Sequence, residues 1–221
     1  MARNLSKKPI IEHLKKYEEL AIRFGASDAK RISAREMRIE ERVRNKCQVP
    51  RCMEFNTNAN CPPFTVNAAQ MREVVSGYTW GVSVKVDVEP SIIAGDAIST
   101  CLMKETFDKG GQILKLGRHY KRIFKIVSEV EAAAFYDGFY LAVGFSAGSC
   151  KGVFCFRNKC QALLPGQRCR FPLIARPSLE AVGFDVFHLA KHVGWKIHPI
   201  GSRTKSAEIG SGILVGLVLI G

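Results

Sequence analysis

The chain has 221 residues, of which 47% are hydrophobic and 24% are charged, and its formal net charge is +13. This length and composition exclude general disorder, collagen-like repeats and disulfide-dense mini-proteins, and they favour a single domain over residues 1–221. The longest uncharged apolar stretch, Gly210 to Gly221, is too short for a membrane span of about 20 residues, and no signal-peptide core precedes residue 24, so the sequence predicts a cytoplasmic protein without a membrane segment.

The first half of the chain contains both helical and extended patterns. Apolar residues recur at helical spacing from Ile10 to Phe24, and Gly25 is suited to end that helix. Residues 31–44 alternate loosely and predict one or two strands with a polar face. A helix is predicted from about Asn67 to Tyr78, and regular alternation predicts a half-buried strand from Trp80 to Val88.

The second half adds further helices and strands. A helix is predicted from His119 to about Asp137, followed by a buried strand from Phe139 to Phe145. Ser178 has the residue type of a helix cap, and Asp185 is suited to cap a helix that ends at Gly194. The apolar run near the C-terminus, Ile213 to Ile220, predicts a central or interface strand. Interleaved strands and helices indicate an α/β or α+β fold: a mixed sheet with flanking helices.

Eight cysteines are present, and seven of them fall into two clusters. Three early cysteines have the spacing C-x4-C-x8-C, and three later ones repeat that spacing, with a further cysteine one C-x4 step before them. Cys101 stands apart from both clusters, and its role is left open. In a cytosolic protein such clusters indicate metal more than disulfides. The candidate ligands are Cys47, Cys52, Cys61, Cys150, Cys155, Cys160 and Cys169.

Both clusters lie on sequence that predicts loops, here called the first cysteine loop (residues 47–63) and the second cysteine loop (residues 150–172). Pro50, Pro165 and Gly166 interrupt regular structure, and irregular chain can wrap a ligand and bring several thiols to one point. Simple core packing and disulfide bonds are the alternatives. Packing is the favoured explanation for Cys101 alone.

The charge around the second loop is one-sided. Residues 150–177 contain six Lys or Arg and no Asp or Glu. Cations stabilise an anionic thiolate-bound metal centre and also attract an acidic partner protein. The spacing fits neither of the common ferredoxin patterns and falls within the range of zinc ligands, so it does not distinguish an iron–sulfur cluster from zinc.

These motifs resemble a known family. The string C-x4-C-x8-C-P-P at Cys47, the glycine-rich approach to Cys150, and the segment R-P-S-L-E-A-V-G-F-D-V from Arg176 are similar to the predicted metal-binding proteins of domain of unknown function 2284. The similarity extends from about residue 8 to the end. That family is common in anaerobic bacteria and methanogenic archaea.

The resemblance implies that the seven clustered cysteines bind metal, as one or two [4Fe–4S] clusters. The later four would hold one cluster, and the first three would hold a second or contribute to the first. We expect electron transfer to an acidic redox partner, or service as a subunit of a redox or metallocofactor-activating assembly. The alternatives are a zinc-stabilised module that binds proteins or nucleic acid, and an enzyme with an open cluster site; oligomeric state is left open.

Overall fold

Four strands form one sheet in the spatial order β1-β2-β4-β3. They are β1 (Asp28–Ser33), β2 (Trp80–Val88), β3 (Val143–Phe145) and β4 (Gly212–Ile220). The computed structural model describes residues 10–95, 112–156 and 158–221. All three strand pairs are antiparallel, and β4 is paired with β2 along its whole length and with β3 at its end. The two longest strands therefore lie at the centre of the sheet.

Seven α-helices accompany the sheet in the described residues. They are α1 (Ile10–Arg23), α2 (Glu41–Asn45), α3 (Ala68–Ser76), α4 (Pro90–Ile93), α5 (Gln112–Tyr136), α6 (Cys150–Phe154) and α7 (Val186–His192). Across the described ranges, none of these helices has the length and apolar character that crossing a membrane requires.

Strand β4 shows why both faces of the sheet are covered. Successive side chains of a strand point to opposite faces. Leu214, Val218 and Ile220 belong to an apolar cluster formed with α1 and α5. The intervening Leu217 and Leu219 belong to a second cluster, formed with α3 and α7. Both clusters thus pack on one sheet, and β4 is apolar throughout because neither of its faces meets water.

Most of the predicted elements are confirmed, with shifted ends. Helices α1, α3 and α7 and strands β2 and β4 lie where the sequence predicts them, and α5 begins seven residues earlier than predicted. Two predictions are wrong in part. Residues 41–45 are helical and not extended, and the strand predicted from Phe139 includes only Val143–Phe145 because the preceding residues turn at Gly138, whose φ is +103°.

The combination of helices with one sheet is confirmed, but its strand pairs are more uniform than the mixed sheet that the sequence predicts. The parallel contact in the described part of the chain is the isolated bridge between Ser146 and Ser178. Alternation reveals a strand but not the direction of its neighbour. Since β2 and β4 are far apart in sequence, no short connecting turn indicated that they would run antiparallel.

Candidate metal centre

The seven cysteines predicted as ligands all lie on the two cysteine loops or at the start of α6. None of them is in a disulfide bond. Cys61 and Cys150 are buried, Cys52 is exposed, and the others have intermediate exposure. Cys101 lies outside the described residues. The seven thiols are thus not cross-linked, and five of them are not fully buried.

Arg44 closes the base of the first cysteine loop. It lies in α2, forms an ion pair with Glu41 at 3.1 Å, and donates from Nη2 to the carbonyl of Thr65 at 3.2 Å. These contacts join the chain before Cys47 to the chain after Cys61. Thr65 also donates from Oγ1 to the carbonyl of Ala181 at 2.8 Å, which fixes the exit of the loop to the body of the protein.

Asparagines organise the interior of the first loop. Asn56 adopts a φ of +61°, a left-handed conformation that Asn tolerates, and donates its N–H to the carbonyl of Pro62. Asn58 is fully buried, and its Oδ1 accepts a hydrogen bond from the backbone N–H of Asn60 at 3.0 Å. The polar side chain of Asn58 therefore replaces missing backbone pairing in a segment without helix or strand.

A glycine turn positions the start of the second loop. Gly148 has a φ of +68°, and a Cβ at this position would lie 2.6 Å from the ring of Tyr120 on α5. Ser149 then caps α6 by accepting a hydrogen bond from the N–H of Gly152. The chain can pass close to α5 because Gly148 has no side chain, and this approach places Cys150 at the first position of α6.

The four later cysteines line one cavity of about 300 Å³. Phe154 and Phe171 form part of its apolar wall, and their rings lie 5.4 Å apart. Phe154 also contacts the fully buried Phe124 of α5, at 5.2 Å between ring centroids. This row of aromatic rings joins the cavity to the core. The cysteines in its lining are Cys150, Cys155, Cys160 and Cys169.

The first cysteine loop forms another part of the same cavity. Ala59 and Asn60 belong to its lining. Asn60 donates from Nδ2 to Sγ of Cys150 at 3.4 Å, and Asn58 donates from Nδ2 to Oγ of Ser149 at 3.3 Å. Two segments that are about 90 residues apart in sequence therefore meet at the thiol of Cys150.

The end of the second loop is held by Arg176. Its guanidinium forms a two-point ion pair with Glu131 on α5, at 2.7 and 3.1 Å, and also donates to the carbonyl of Pro172 at 3.1 Å. Within the loop, Arg170 donates from Nη1 to the carbonyl of Lys159 at 2.8 Å, which joins the segments on either side of the turn. The loop is thus fixed at both ends to α5.

Ion pairs modify the one-sided charge of the second loop. Arg176 is neutralised by Glu131, and Lys151 lies 3.8 Å from Glu54 of the first loop. Of the other four basic residues in this stretch, Lys159, Arg168 and Arg170 are exposed, and Arg157 lies outside the described residues. The local positive charge is therefore smaller than the sequence count indicates.

Burial is the main influence on the Cys150 thiol. It raises the pKa of Cys150 to about 11, while the hydrogen bond from Asn60 opposes the shift. Negative charge on Cys61, Cys169 or Cys160 raises this pKa further, so thiols of both loops influence one another. A bound cation would compensate this mutual repulsion, since metal ligation favours the thiolate form.

Cys47 has a similar environment at the base of the first loop. Burial raises its pKa to about 11, and negative charge on Cys52, Cys61 or Glu180 adds to the shift, whereas Arg44 opposes it. Burial also raises the pKa of the Glu180 carboxyl. The three thiols of the first loop are thus electrostatic neighbours, and an acidic side chain lies near them.

The thiols do not converge on one point. In the described residues, no three Cys, His, Asp or Glu side chains come close enough together to hold a single metal ion. A zinc ion with thiolate ligands at 2.3 Å requires sulfurs about 3.8 Å apart in a tetrahedron. The four later cysteines instead lie among the residues that line the cavity of about 300 Å³. The ligand set itself stays a prediction.

Several residues that shape this site were not recognised from the sequence. Asn58 and Asn60 lie in a segment that the sequence predicts only as an irregular loop, although they bond to Ser149 and Cys150. Arg176 was counted as a free cation. The sequence indicates the two asparagines only in part. The spacing N-x-N-x-N directly precedes Cys61, but the residues to which they bond lie on a distant segment.

Comparison with known proteins gives one match. The family model described as predicted metal-binding protein (DUF2284) matches residues 30–220. Searches of curated proteins and of solved structures find no match. The matched range includes both cysteine loops and every strand except the first two residues of β1.

Proposed function

The chain belongs to this family of predicted metal-binding proteins, and on that premise we propose that the second cysteine loop holds a [4Fe–4S] cluster used in electron transfer. The shared cavity of about 300 Å³ is the observation that carries the proposal. Iron–sulfur clusters are commonly held by four Cys thiolates. The proposed ligands are the cysteines in the cavity lining, Cys150, Cys155, Cys160 and Cys169.

The size of the cavity favours a cluster over a single ion. A [4Fe–4S] core has eight atoms between its ligands, whereas a zinc site encloses one atom and requires all four sulfurs to converge on it. The four thiols belong to the lining of a cavity of about 300 Å³, and its wall includes the aromatic rings of Phe154 and Phe171. This space accommodates a cluster without requiring the loops to collapse.

The first cysteine loop would hold a second cluster or contribute to the first one. Cys47, Cys52 and Cys61 influence one another electrostatically, and the charge of Cys61 also acts on Cys150. The proximity of these thiols supports both options, a second cluster and a contribution to the first. Three cysteines leave one iron of a [4Fe–4S] cluster without a cysteine ligand, and the nearby carboxyl group of Glu180 is of a type that can complete such a site.

When bound, the cluster supplies reversible one-electron chemistry. The residues of the chain then have three tasks. Phe154 and Phe171 limit the access of water from one side, and Asn60 donates a hydrogen bond to a ligating sulfur. The ion pair of Arg176 with Glu131 holds the loop in place. The protein would serve a partner enzyme, or act as a subunit of a redox or metallocofactor-activating assembly.

The test is anaerobic purification followed by an absorption spectrum and by iron, sulfide and zinc analysis. About four or eight irons per chain, with equal sulfide and a broad band near ~400 nm, would support one or two clusters. Reduction with dithionite should bleach that band. A colourless protein with one or two zinc ions would reject electron transfer and leave a zinc-stabilised interaction module.

A further inference from the structure

We propose that the exposed side chains around the cysteine cavity form a docking surface for an acidic redox protein, an inference that rests on the function proposed above. This cysteine-loop surface comprises apolar and basic residues from both loops and the residue directly after the second. Its main members are Val49, Arg51, Met53, Lys159, Arg168 and Leu173.

The apolar members are more exposed than large hydrophobic side chains usually are. Met53 is 90% exposed, Leu173 is 85% exposed and Val49 is 74% exposed. Single exposed apolar residues are normal, but several on adjoining loops beside one site indicate an interaction surface. The two loops meet where Asn60 contacts Cys150. Lys159, Arg168 and Leu173 directly adjoin residues of the cavity lining in sequence, and Val49, Arg51 and Met53 lie beside the first-loop thiols Cys47 and Cys52.

The basic members give this surface its charge. Arg51, Lys159 and Arg168 are exposed, and no ion pair joins them to an acidic side chain within residues 10–95, 112–156 and 158–221. An acidic side chain is present in the first loop, since Glu54 lies 3.8 Å from Lys151. The three exposed basic residues therefore lack an ion pair even though an acid lies on the same loops. A surface of this kind attracts an acidic partner over long distances.

The composition favours a protein over nucleic acid as the partner. Protein interfaces are enriched in Met and Arg, and their centres are apolar. Non-specific single-strand surfaces combine basic residues with aromatic platforms for stacking. The second loop has an exposed ring, Phe156 at 61%, but the three most exposed apolar side chains of the two loops and the adjoining residue, Met53, Leu173 and Val49, are not aromatic. The ring of Phe55 is covered by the guanidinium of Arg51, at 5.3 Å.

Docking at this surface would bring a partner's redox centre close to the proposed cluster. The transfer would be a one-electron exchange, in which the partner's reduced iron–sulfur centre would lose one electron and a cluster held by Cys150, Cys155, Cys160 and Cys169 would gain it. No atom is transferred. Complementary charge would act mainly on the association rate, and the exposed apolar residues would act mainly on the lifetime of the complex.

The experiment uses a strongly acidic two-cluster ferredoxin, immobilised on a sensor, and the anaerobically purified full-length protein. The variant Arg51→Glu/Lys159→Glu/Arg168→Glu should associate at least 10-fold more slowly at low ionic strength, and added salt should reduce this difference. The matched control Arg23→Glu/Lys196→Glu/Arg203→Glu, whose positions are also exposed, should change the rate less than threefold. Met53→Ser/Leu173→Ser should accelerate dissociation without slowing association.

Equal losses in both charge-reversal variants would overturn the proposal, because net charge alone would then explain binding. It would also be overturned if the wild type bound single-stranded oligo(dT) more tightly than ferredoxin and the loop variant lost that binding, since the surface would then serve nucleic acid. Cluster content is measured on the same preparations. A colourless protein rejects the proposed function, while the sensor still reports docking, so the two failures remain distinguishable.

Discussion

The side-chain amide of Asn60 donates a hydrogen bond to Sγ of Cys150 at 3.4 Å, although the two residues belong to different cysteine loops. The contact brings a polar donor of the first loop into the cavity lined by the second. Hydrogen bonds to ligating sulfurs stabilise the more negative, reduced state of an iron–sulfur cluster and thereby raise its reduction potential. If Cys150 is a ligand of the proposed cluster, the hydrogen bond from Asn60 should therefore raise its reduction potential.

Replacement of this donor gives the first prediction. Asn60→Leu should retain the cluster but lower its reduction potential, and iron should be lost to a chelator more readily, by about 10- to 100-fold in affinity. Potentiometric titration and chelator competition measure the two effects. Gln48→Leu, an exposed polar-to-apolar change in the same loop, should leave both unchanged. An unaltered potential in Asn60→Leu would show that the hydrogen bond does not reach a ligating sulfur.

The ligand assignment gives the second prediction. Cys160→Ala removes one of the four thiols that line the cavity, so it should lower the iron content and reduce the thermal stability of the purified protein. Cys101→Ala, outside both clusters, should retain wild-type iron. Iron and sulfide per chain are the measurement. Equal iron in the wild type and Cys160→Ala would remove Cys160 from the ligand set.

The ion pair at the end of the second loop gives the third prediction. Arg176→Lys retains the charge but cannot form two parallel bonds to Glu131 together with bonds to loop carbonyls, so the free energy of unfolding should fall by about 2 kcal/mol. Urea unfolding measures the change. Arg168→Lys, at an exposed position, should change stability by less than about 0.5 kcal/mol. Similar values for the two variants would contradict the structural role of Arg176.

Two glycines with the same backbone conformation give the fourth prediction. Gly148 and Gly166 have φ values of +68° and +69°, but an added Cβ meets the Tyr120 ring only at Gly148 and has open space at Gly166. Both alanine variants should pay about 1 kcal/mol for the left-handed backbone, and Gly148→Ala should lose a further 1–3 kcal/mol through overpacking. Chemical denaturation measures both. Combining Gly148→Ala with Tyr120→Leu should recover part of the additional loss, and no recovery would exclude the ring contact as its cause.

A carboxylate at the end of α5 gives the fifth prediction, which concerns pH. Partial burial acts to raise the pKa of Asp137, but hydrogen bonds from Lys16 at 2.6 and 2.8 Å and from Tyr17 at 2.9 Å outweigh it and lower that pKa. His13 also lies 3.4 Å from the carboxylate. The stabilisation is therefore present above the unfolded-state pKa of about 3.9 and is lost as the pH falls through the lower folded-state pKa.

Asp137→Asn should consequently cost about 1.5–3 kcal/mol of unfolding free energy near neutral pH, because the residue anchors α1 to α5. The difference from the wild type should shrink as the pH is lowered below 4. Unfolding curves at a series of pH values measure it. Asp87→Asn, whose carboxylate is 45% exposed against 20% for Asp137, should cost less than about 1 kcal/mol. A pH-independent difference would assign the loss to packing and not to charge.

The sequence was sufficient for elements with a strong local pattern. The alternation of Trp80–Val88 and the apolar run of Gly212–Ile220 identified the two central strands, and Asn67 and Asp185 cap the helices that follow them, as their side-chain hydrogen bonds show. Periodicity and capping are properties of neighbouring residues, so they can be interpreted without knowledge of the fold. The clustering of cysteines on loops is information of the same kind.

Hydrogen-bond and ion-pair partners on distant segments cannot be predicted from local sequence patterns. The charge count around Cys150 included Arg176 as a free cation because nothing near it in sequence indicates Glu131. Likewise, nothing near Asn60 in sequence indicates that its side chain donates to Cys150. The environment of the candidate centre depends on which segments the fold brings together, and a single sequence does not contain that information.

Strand β4 has a consequence for synthesis of the chain. It lies between β2 and β3 in the sheet, yet it follows both cysteine loops in sequence. A growing polypeptide therefore presents all seven clustered thiols before the strand that joins β2 to β3 has left the ribosome. During this interval the thiols are accessible to metal ions and to oxidants alike, because the sheet is still incomplete.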